Sequence, residues 1–223
     1  MLVKKAPTLS PDEVAALYDR IGTAQDTQVF YERPAVDLLI EHGAFADATT
    51  VLEVGCGTGR VAERLLRDAG PLETRYIGVD VSMRMVQIAR DRLSAYEGRA
   101  TVERTDGTFS FDVPTASQDR VVATYVLDVL APEAIQQFFG EARRVLQADG
   151  RVCLAGLTWG TRPLGRLVSA LWAAVHRLRP SWVGGCRPLH MCRALPADEW
   201  RVVHHERVQA WGVPSEVLIA TPC

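Results

Sequence analysis

Strand-like and helix-like stretches alternate along the chain from about residue 49 to residue 158. Between short apolar runs, apolar residues recur three and four positions apart, which is typical of helices packed on a sheet. One such helix is predicted from Pro132 to the Asp149-Gly150 break. The predicted strands are residues 49–54, 75–79, 101–104, 120–124 and 151–157.

Further elements flank this core. The sequence SPDE at 10–13 is a capping box and predicts a helix, and a second helix is predicted over 34–43. Strand-like stretches at 200–208 and 216–220, joined by a short Gly-Val-Pro link, predict an antiparallel pair at one sheet edge. The pattern predicts an α/β, Rossmann-like fold. Its doubly wound sheet would have seven mostly parallel strands, helices on both faces and an antiparallel edge strand.

We expect one domain over 1–223. Its parts would be N-terminal helices over the site (1–45), a ligand-binding core (49–158), an insertion (159–195) and a final strand pair (200–221).

Composition favours a globular protein of the cytoplasm. The 223 residues are 48% hydrophobic and 23% charged with a net charge of -2, which disfavours disorder and a chain built to grip nucleic-acid backbones. No apolar run approaches the roughly 18 residues that span a bilayer. The first ten residues lack the apolar run of a secretion signal. Five cysteines, an odd number without framework spacing, favour reduced thiols.

A glycine-rich loop follows the first core strand. The sequence VLEVGCGTGR at 51–60 turns from strand to helix, and its glycines let a ligand approach the backbone amides. Asp80 and Asp106 end the next two strands, where carboxylates can accept hydrogen bonds from ribose hydroxyls and from an adenine amine. The three glycines of the loop are Gly55, Gly57 and Gly59, with Cys56 between the first two.

The loop favours one nucleoside cofactor over another. A dinucleotide site requires its third glycine one residue later, where Arg60 stands. Glu53 would also repel a pyrophosphate, whereas it suits the ammonium group of S-adenosylmethionine. The acids therefore fit S-adenosylmethionine better than NAD.

Four segments together resemble class I S-adenosylmethionine-dependent methyltransferases of the broad small-molecule and ubiquinone/menaquinone-biosynthesis type. The resemblance covers roughly residues 10–158, and its motifs identify the superfamily better than the substrate. The segments are VLEVGCGTGR (51–60), GVDVS (78–82), Asp106-Gly107 and EARRVLQADGRVCLAGL (141–157).

The resemblance implies a role for each matching position. Glu53 would orient the methionine end, Asp80 would bind the ribose and Asp106 would accept from adenine N6. The other implied contacts are the Gly55, Cys56, Gly57 and Gly59 loop, Val81 and Met85 against adenine, the Gly107 amide, the Thr124 carbonyl and Tyr18 over the methyl donor.

The expected activity is direct in-line transfer of the methyl group to a small-molecule or lipid-like acceptor, with S-adenosylhomocysteine as product. A non-catalytic S-adenosylmethionine-binding subunit and, less favoured, an NAD(P)-dependent oxidoreductase are the alternatives. No catalytic base is assigned. Relatives often carry a histidine where Asp128 stands, so its role does not transfer. The candidates are Tyr31, Tyr125, Asp128 and His190.

The expected partner is a small molecule rather than nucleic acid. Methylases of nucleic-acid amines usually carry an Asn/Asp-Pro-Pro-aromatic motif after the fourth strand, where this chain has Ala-Thr-Tyr-Val at 123–126. No metal is expected. The Cys186-x3-His190-x-Cys192 spacing with His204-His205 matches no common structural zinc site.

The insertion at 159–195 is basic and amphipathic. It holds six arginines and no acid, with an apolar stripe at helical spacing. The pattern is compatible with three roles: a solvated helix face, a lid over the substrate or a contact with a membrane surface. The stripe consists of Leu164, Leu167, Val168, Leu171, Trp172, Val175 and Leu178.

Overall fold

The computed structural model describes residues 8–223, and a seven-stranded sheet forms its centre. The strands are β1 (Thr50–Val54), β2 (Arg75–Asp80), β3 (Ala100–Arg104), β4 (Gln118–Thr124), β5 (Leu146–Leu157), β6 (Trp200–Ala210) and β7 (Val213–Pro222). Their order in the sheet is β3-β2-β1-β4-β5-β7-β6.

The strand order reverses between β1 and β4, which lie side by side at the centre. Strands β1 to β5 are parallel. The predicted antiparallel pair is present, but its antiparallel member β7 lies inside the sheet, between β5 and β6. The edge strand β6 therefore runs in the same direction as β5. In such sheets, ligands bind beyond the carboxyl ends of the strands at the point of reversal.

Seven α-helices of the described chain surround the sheet. They are α1 (Pro11–Ile21), α2 (Val29–His42), α3 (Arg60–Arg64), α4 (Met83–Arg92), α5 (Pro132–Val145), α6 (Pro163–Leu178) and α7 (Met191–Ala194). A π-helical turn, Leu65–Ala69, continues α3, and a 3-10 helix, Gly22–Gln28, leads directly into α2. Among residues 8–223, no helix is both long and apolar enough to cross a membrane.

Two predicted helix boundaries are wrong. Helix α2 begins at Val29 rather than at Pro34, because the preceding 3-10 turn already brings the chain into helical geometry and Pro34 lies inside the helix. Helix α5 ends at Val145 rather than near Gly150. The amides of Ala116 and Ser117 bind its last carbonyls, and the chain then enters β5.

The core has one apolar layer on each face of the sheet. On one face, α2, the π-helical turn after α3, and α4 pack Leu39, Leu65 and Val86 against β-strand residues. On the other face, α5 places Phe138 and Phe139 against the sheet, where both are fully buried. These two layers hold the parallel strands in place. The residues that follow β1, β2 and β4 therefore lie together at the carboxyl edge of the sheet.

Candidate functional site

A cavity of about 230 Å³ opens at the carboxyl edge of the sheet, at the reversal of strand order. The loops after β1, β2, β3 and β4 form its floor and sides. Helix α1 and the segment from Gln25 to Glu32 cover it. The cavity therefore lies where this class of sheet binds ligands.

The glycine loop has a backbone that side chains would obstruct. Gly55 has a φ of +68°, and a Cβ atom there would stand 2.4 Å from Cγ2 of Val126. Gly57 has a φ of +53° and open space where its Cβ would be. Both conformations favour glycine, and the second leaves room for a ligand to reach the backbone.

Asp80 is an acid on the cavity wall that backbone amides hold in place. Its two carboxylate oxygens accept hydrogen bonds from the amides of Gly57 and Ser82, each at 2.9 Å. The residue is 8% exposed, and burial raises the pKa of its carboxyl. Because each carboxylate oxygen can accept more than one hydrogen bond, Asp80 can also receive a pair of ligand hydroxyls.

Helix α1 lies over the site and is held there by hydrogen bonds of Asp19 and Tyr18. The predicted capping box is present, with Ser10 and Glu13 bonding each other's backbone amides. Asp19 accepts hydrogen bonds from the Ser82 hydroxyl at 2.6 Å and from the Arg84 amide at 3.1 Å. Tyr18 lines the cavity and donates its hydroxyl to the Gly184 carbonyl at 3.2 Å.

A polar network that the sequence did not reveal joins the 3-10 turn to the glycine loop. Asp26 accepts hydrogen bonds from the Thr58 hydroxyl at 2.6 Å and from Arg92 at 2.5 Å. Arg60 donates to the Asp26 carbonyl at 3.3 Å. Although burial raises the pKa of Asp26, the bonds from Thr58 and Arg92 hold it below its usual value. These residues are 32 to 66 positions apart in the chain, so no local pattern signals their contact.

Most of the residues predicted to bind the cofactor lie on the cavity wall, and four do not. The residues on the wall are Tyr18, Gly55, Cys56, Gly57, Asp80, Val81, Gly107 and Thr124. The residues away from it are Glu53, Gly59, Met85 and Asp106.

Glu53 is sealed inside the protein. It is 1% exposed, and its carboxyl accepts a hydrogen bond from the Tyr76 hydroxyl at 2.6 Å. Burial raises the pKa of Glu53 to about 8, against the opposing effect of the Tyr76 bond. Because this carboxyl faces Tyr76 rather than the cavity, its position does not favour the contact with the methionine end that the resemblance implies, and that role stays a prediction.

Asp106, Gly59 and Met85 have local structural roles. Asp106 is exposed, and its carboxylate accepts from the Thr108 amide at 2.9 Å and hydroxyl at 2.6 Å, which lowers its pKa. Gly59 has a φ of +75°, and a Cβ there would stand 3.1 Å from Ala89, so it allows α3 to pack on α4. Met85 is fully buried.

Glu32 is a buried acid of α2 on the cavity wall. It is 7% exposed and lies 3.3 Å from the Arg60 guanidinium. Burial raises the pKa of Glu32 to about 7, and Arg60 opposes this rise. Its signal in the sequence is weak, because a single acid in a helix is usually exposed.

An aromatic cluster, Tyr31, Tyr125 and Trp172, stands beside Glu32. Tyr31 meets the ring of Tyr125 edge-on at 5.9 Å and that of Trp172 at 6.3 Å. Tyr125 lines the cavity with a φ of +57°, and its hydroxyl lies 2.8 Å from the Ser215 hydroxyl. Trp172 of α6 donates its indole N–H to the Cys186 carbonyl at 3.0 Å. The insertion therefore packs against one side of the site.

Asp128 lies behind the same cluster and His190 lies away from it. One carboxyl oxygen of Asp128 accepts from the Leu157 amide at 2.9 Å, and the other has no partner among residues 8–223. Burial raises the pKa of Asp128 to about 6. His190 is absent from the cavity wall and its Nδ1 faces Arg207 at 3.3 Å.

The residues considered as metal ligands are engaged separately. His205 bonds Glu216 at 2.6 Å, and the Cys186 thiol faces the Gly184 carbonyl at 3.8 Å.

A different group, His42, His204 and Glu206, brings its ligand atoms within 4.8 Å of one another. The two imidazoles stack with centroids 3.8 Å apart. An ion bound to both must lie in both ring planes, which this stacking does not allow.

Comparison with known proteins identifies the domain. Residues 51–150 match the family described as "Methyltransferase domain". A demethylmenaquinone methyltransferase of Tropheryma whipplei is 32% identical over 145 residues, which are 63% of this chain and 54% of that protein. A Drosophila melanogaster tRNA N(3)-methylcytidine methyltransferase, Mettl2, is 29% identical over 125 residues, covering 55% and 38%. The chain thus spans about half or less of the length of these curated relatives.

The fold is also found in solved structures. The crystal structure of the 4+2 cyclase SpnF superposes with a TM-score of 0.71 over 98% of both chains, at 17% identity. The sheet, glycine loop and strand-end acid define an α/β protein of the class that binds nucleoside cofactors. The family match and the curated relatives narrow this class: residues 51–150 match a methyltransferase domain, and the relatives are named methyltransferases, which confirms the predicted resemblance to class I S-adenosylmethionine-dependent methyltransferases.

Proposed function

We propose that this protein transfers a methyl group from S-adenosylmethionine to a small-molecule, lipid-like acceptor. The observation that carries the proposal is Asp80, held by the amides of Gly57 and Ser82 at the end of β2 and facing the cavity. This arrangement suits a ribose, and the family match supports S-adenosylmethionine as the molecule that carries it.

The wall residues fit that cofactor. Asp80 would accept from the ribose hydroxyls, while Val81 and Gly107 line the side where adenine would lie. Arg60 and Asp26 offer opposite charges for the amino acid end, next to the glycine loop. When bound, S-adenosylmethionine supplies a methyl group already activated on a sulfonium. The protein's task is then to hold the acceptor in line with it.

Calorimetry with the purified protein tests the cofactor. We expect S-adenosylmethionine and S-adenosylhomocysteine to bind and NADH not to bind. Binding of NADH alone would reject the proposal in favour of an oxidoreductase. Release of S-adenosylhomocysteine in the presence of acceptors then separates an enzyme from a binding subunit that does not turn over.

The wall of the cavity after β4, where we expect the methyl acceptor, is apolar and supports an apolar substrate. The segment after β4 presents Val126, Val129, Leu130 and Ala131 to the cavity. The relative named as a demethylmenaquinone methyltransferase supports the same class of acceptor. Since another relative is named for tRNA, we would compare S-adenosylhomocysteine release with a lipid extract and with total tRNA. Release with tRNA alone would reject the lipid-like acceptor.

We propose Glu32 as the group that takes up a proton from the acceptor. Its carboxyl lines the cavity beside Tyr125, and a pKa of about 7 suits proton transfer at neutral pH. A base must be ionised, so the rate should rise with pH through about 7.

Glu32→Gln is expected to lower kcat by about 100-fold or more and to abolish the rise with pH. The affinity for S-adenosylmethionine should change less than about twofold. The matched control is Glu41→Gln, at an exposed position of the same helix. A large loss of cofactor affinity with unchanged kcat would instead assign Glu32 to the ammonium group.

We propose that the insertion, 159–195, supports one side of the acceptor site within a single domain, through the contact of Trp172 with Tyr31 and of Tyr31 with the cavity-lining Tyr125. Trp172 carries this role because it joins α6 to Tyr31 and to the backbone of Cys186. Trp172→Leu should raise the acceptor KM about fivefold or more while cofactor affinity changes less than about twofold. Trp159→Leu, at a 39% exposed position of the same insertion outside the aromatic cluster, is the control. Equal effects of the two variants would contradict a role for Trp172 in the acceptor site.

We place the reaction in the cytoplasm. The five free cysteines support this, with Cys56, Cys153 and Cys186 buried as thiols.

A further inference from the structure

Helix α6 carries apolar side chains that its own domain does not cover. Leu164, Leu167, Leu171 and Leu178 are 57%, 67%, 64% and 80% exposed. They follow one another at spacings of three, four and seven residues, which places them along one side of the helix. We call these four residues the leucine face.

The leucine face is separate from the side of α6 that packs on the domain. That packed side contains Gly165, Ser169 and His176, which are buried, and half-buried Trp172. Among these, His176 lies 3.1 Å from the Gly185 carbonyl and the Ser169 hydroxyl bonds the Gly160 amide at 3.2 Å. Packing therefore accounts for one side of the helix and leaves the leucine face to water.

Tryptophans stand at both ends of the leucine face. Trp211, 82% exposed, precedes Gly212, and a Cβ on Gly212 would be 3.3 Å from Leu164. Trp182, 71% exposed, follows the carboxyl end of α6, with the Arg179 guanidinium over its ring. Exposed indoles beside an apolar surface are typical of segments that sit at the boundary between lipid headgroups and acyl chains.

Four exposed arginines flank the leucine face. Arg162 and Arg179 cap the two ends of α6, and Arg166 and Arg177 lie along the helix. Residues 159–195 contain no acid, and none of these four guanidinium groups forms an ion pair within the part of the chain that the structure describes. Their charge is thus available to an anionic partner.

We infer that α6 docks the protein on an anionic lipid surface. Leucines and tryptophans would enter the headgroup boundary while the arginines meet lipid phosphates, the combination that binds interfacial helices. A second copy paired through the same face would bring two sets of four arginines together, which like-charge repulsion disfavours. On the packed side of α6, Trp172 contacts Tyr31, which contacts the cavity-lining Tyr125, so docking would bring that side of the cavity toward the membrane.

Vesicle sedimentation tests this inference without reference to methyl transfer. Vesicles of equal parts phosphatidylglycerol and phosphatidylcholine should bind the protein, and vesicles of phosphatidylcholine alone should bind it at least about tenfold more weakly. Leu167→Gln with Leu171→Gln should lower binding to the anionic vesicles by about tenfold or more, because two exposed leucines no longer enter the lipid. Arg166→Gln with Arg177→Gln should do the same and should weaken the dependence on salt.

Matched control variants lie at the opposite edge of the sheet. Leu72 is 85% exposed in the turn before β2, and Arg75 and Arg201 are exposed near the starts of β2 and β6. Leu72→Gln, and Arg75→Gln with Arg201→Gln, should leave vesicle binding within about twofold of the wild type.

Three outcomes would overturn the inference. The first is no binding to anionic vesicles at low salt. The second is binding that the control variants reduce as much as the α6 variants. The third is a stable dimer, seen by sedimentation equilibrium, that Leu167→Gln with Leu171→Gln converts to a monomer, since the occupant of the leucine face would then be a second copy.

Discussion

Asp80→Asn is expected to weaken S-adenosylmethionine binding by about 1 to 3 kcal/mol, or roughly 5- to 150-fold, because a charged acceptor of ribose hydroxyls becomes a neutral one. The amide oxygen of asparagine can still accept from one of the two backbone amides that hold Asp80, so the loop keeps part of its support. Calorimetry measures the change, and thermal unfolding without ligand shows that the variant is folded.

Asp106→Asn provides the matched comparison. The sequence predicts both acids as cofactor ligands, but Asp106 is exposed and bonded to Thr108, away from the cavity wall. We expect its substitution to change the affinity by less than about twofold. Equal losses in the two variants would contradict this distinction. An unchanged affinity in Asp80→Asn would remove Asp80 from the site.

The sequence predicts elements well where a local pattern carries them. Asp80 is predictable because it follows an apolar run and precedes a Ser82-capped helix, and these local signals fix the carboxyl end of a strand. Glu53 is different. It stands only two residues before the glycine loop, but neighbouring strand residues point to opposite faces, so its side chain turns to Tyr76 while Val54 reaches the cavity.

Contacts between distant segments are beyond such patterns. Asp26 and Glu32 reach the site only because the 3-10 turn and α2 fold over the glycine loop, where Thr58 and Arg60 bind them. In helix α6, the sequence pattern also does not show which apolar residues are buried. Its apolar stripe covers two adjacent sides, and periodicity alone does not separate Val168 and Trp172, which pack on the domain, from the exposed leucine face.

The buried carboxyl of Glu53 is expected to make the free energy of unfolding depend strongly on pH. Its pKa is about 8 in the folded protein and 4.5 in its ordinary state, so the folded protein holds a proton that the unfolded chain releases. Stability from this group is therefore full below about pH 4.5 and is lost as the pH rises through about 8. Glu53→Gln carries no such proton. Relative to the wild type, its free energy of unfolding should rise by about 2 to 4 kcal/mol between pH 5 and pH 8.

Denaturant unfolding of both proteins at pH 5, 6, 7 and 8 measures this difference. Glu32, Asp80 and Asp128 also have raised pKa values, but they are present in both proteins, so subtraction removes their own contributions and leaves that of Glu53 together with its interaction with Asp80. Glu73→Gln, at an exposed position before β2, controls for the loss of a carboxyl. A difference between Glu53→Gln and the wild type that stays constant with pH would mean that Glu53 is ionised in the folded protein. Its charge would then need a partner other than the Tyr76 hydroxyl, and Glu53 would return as a candidate for the ammonium group of the cofactor.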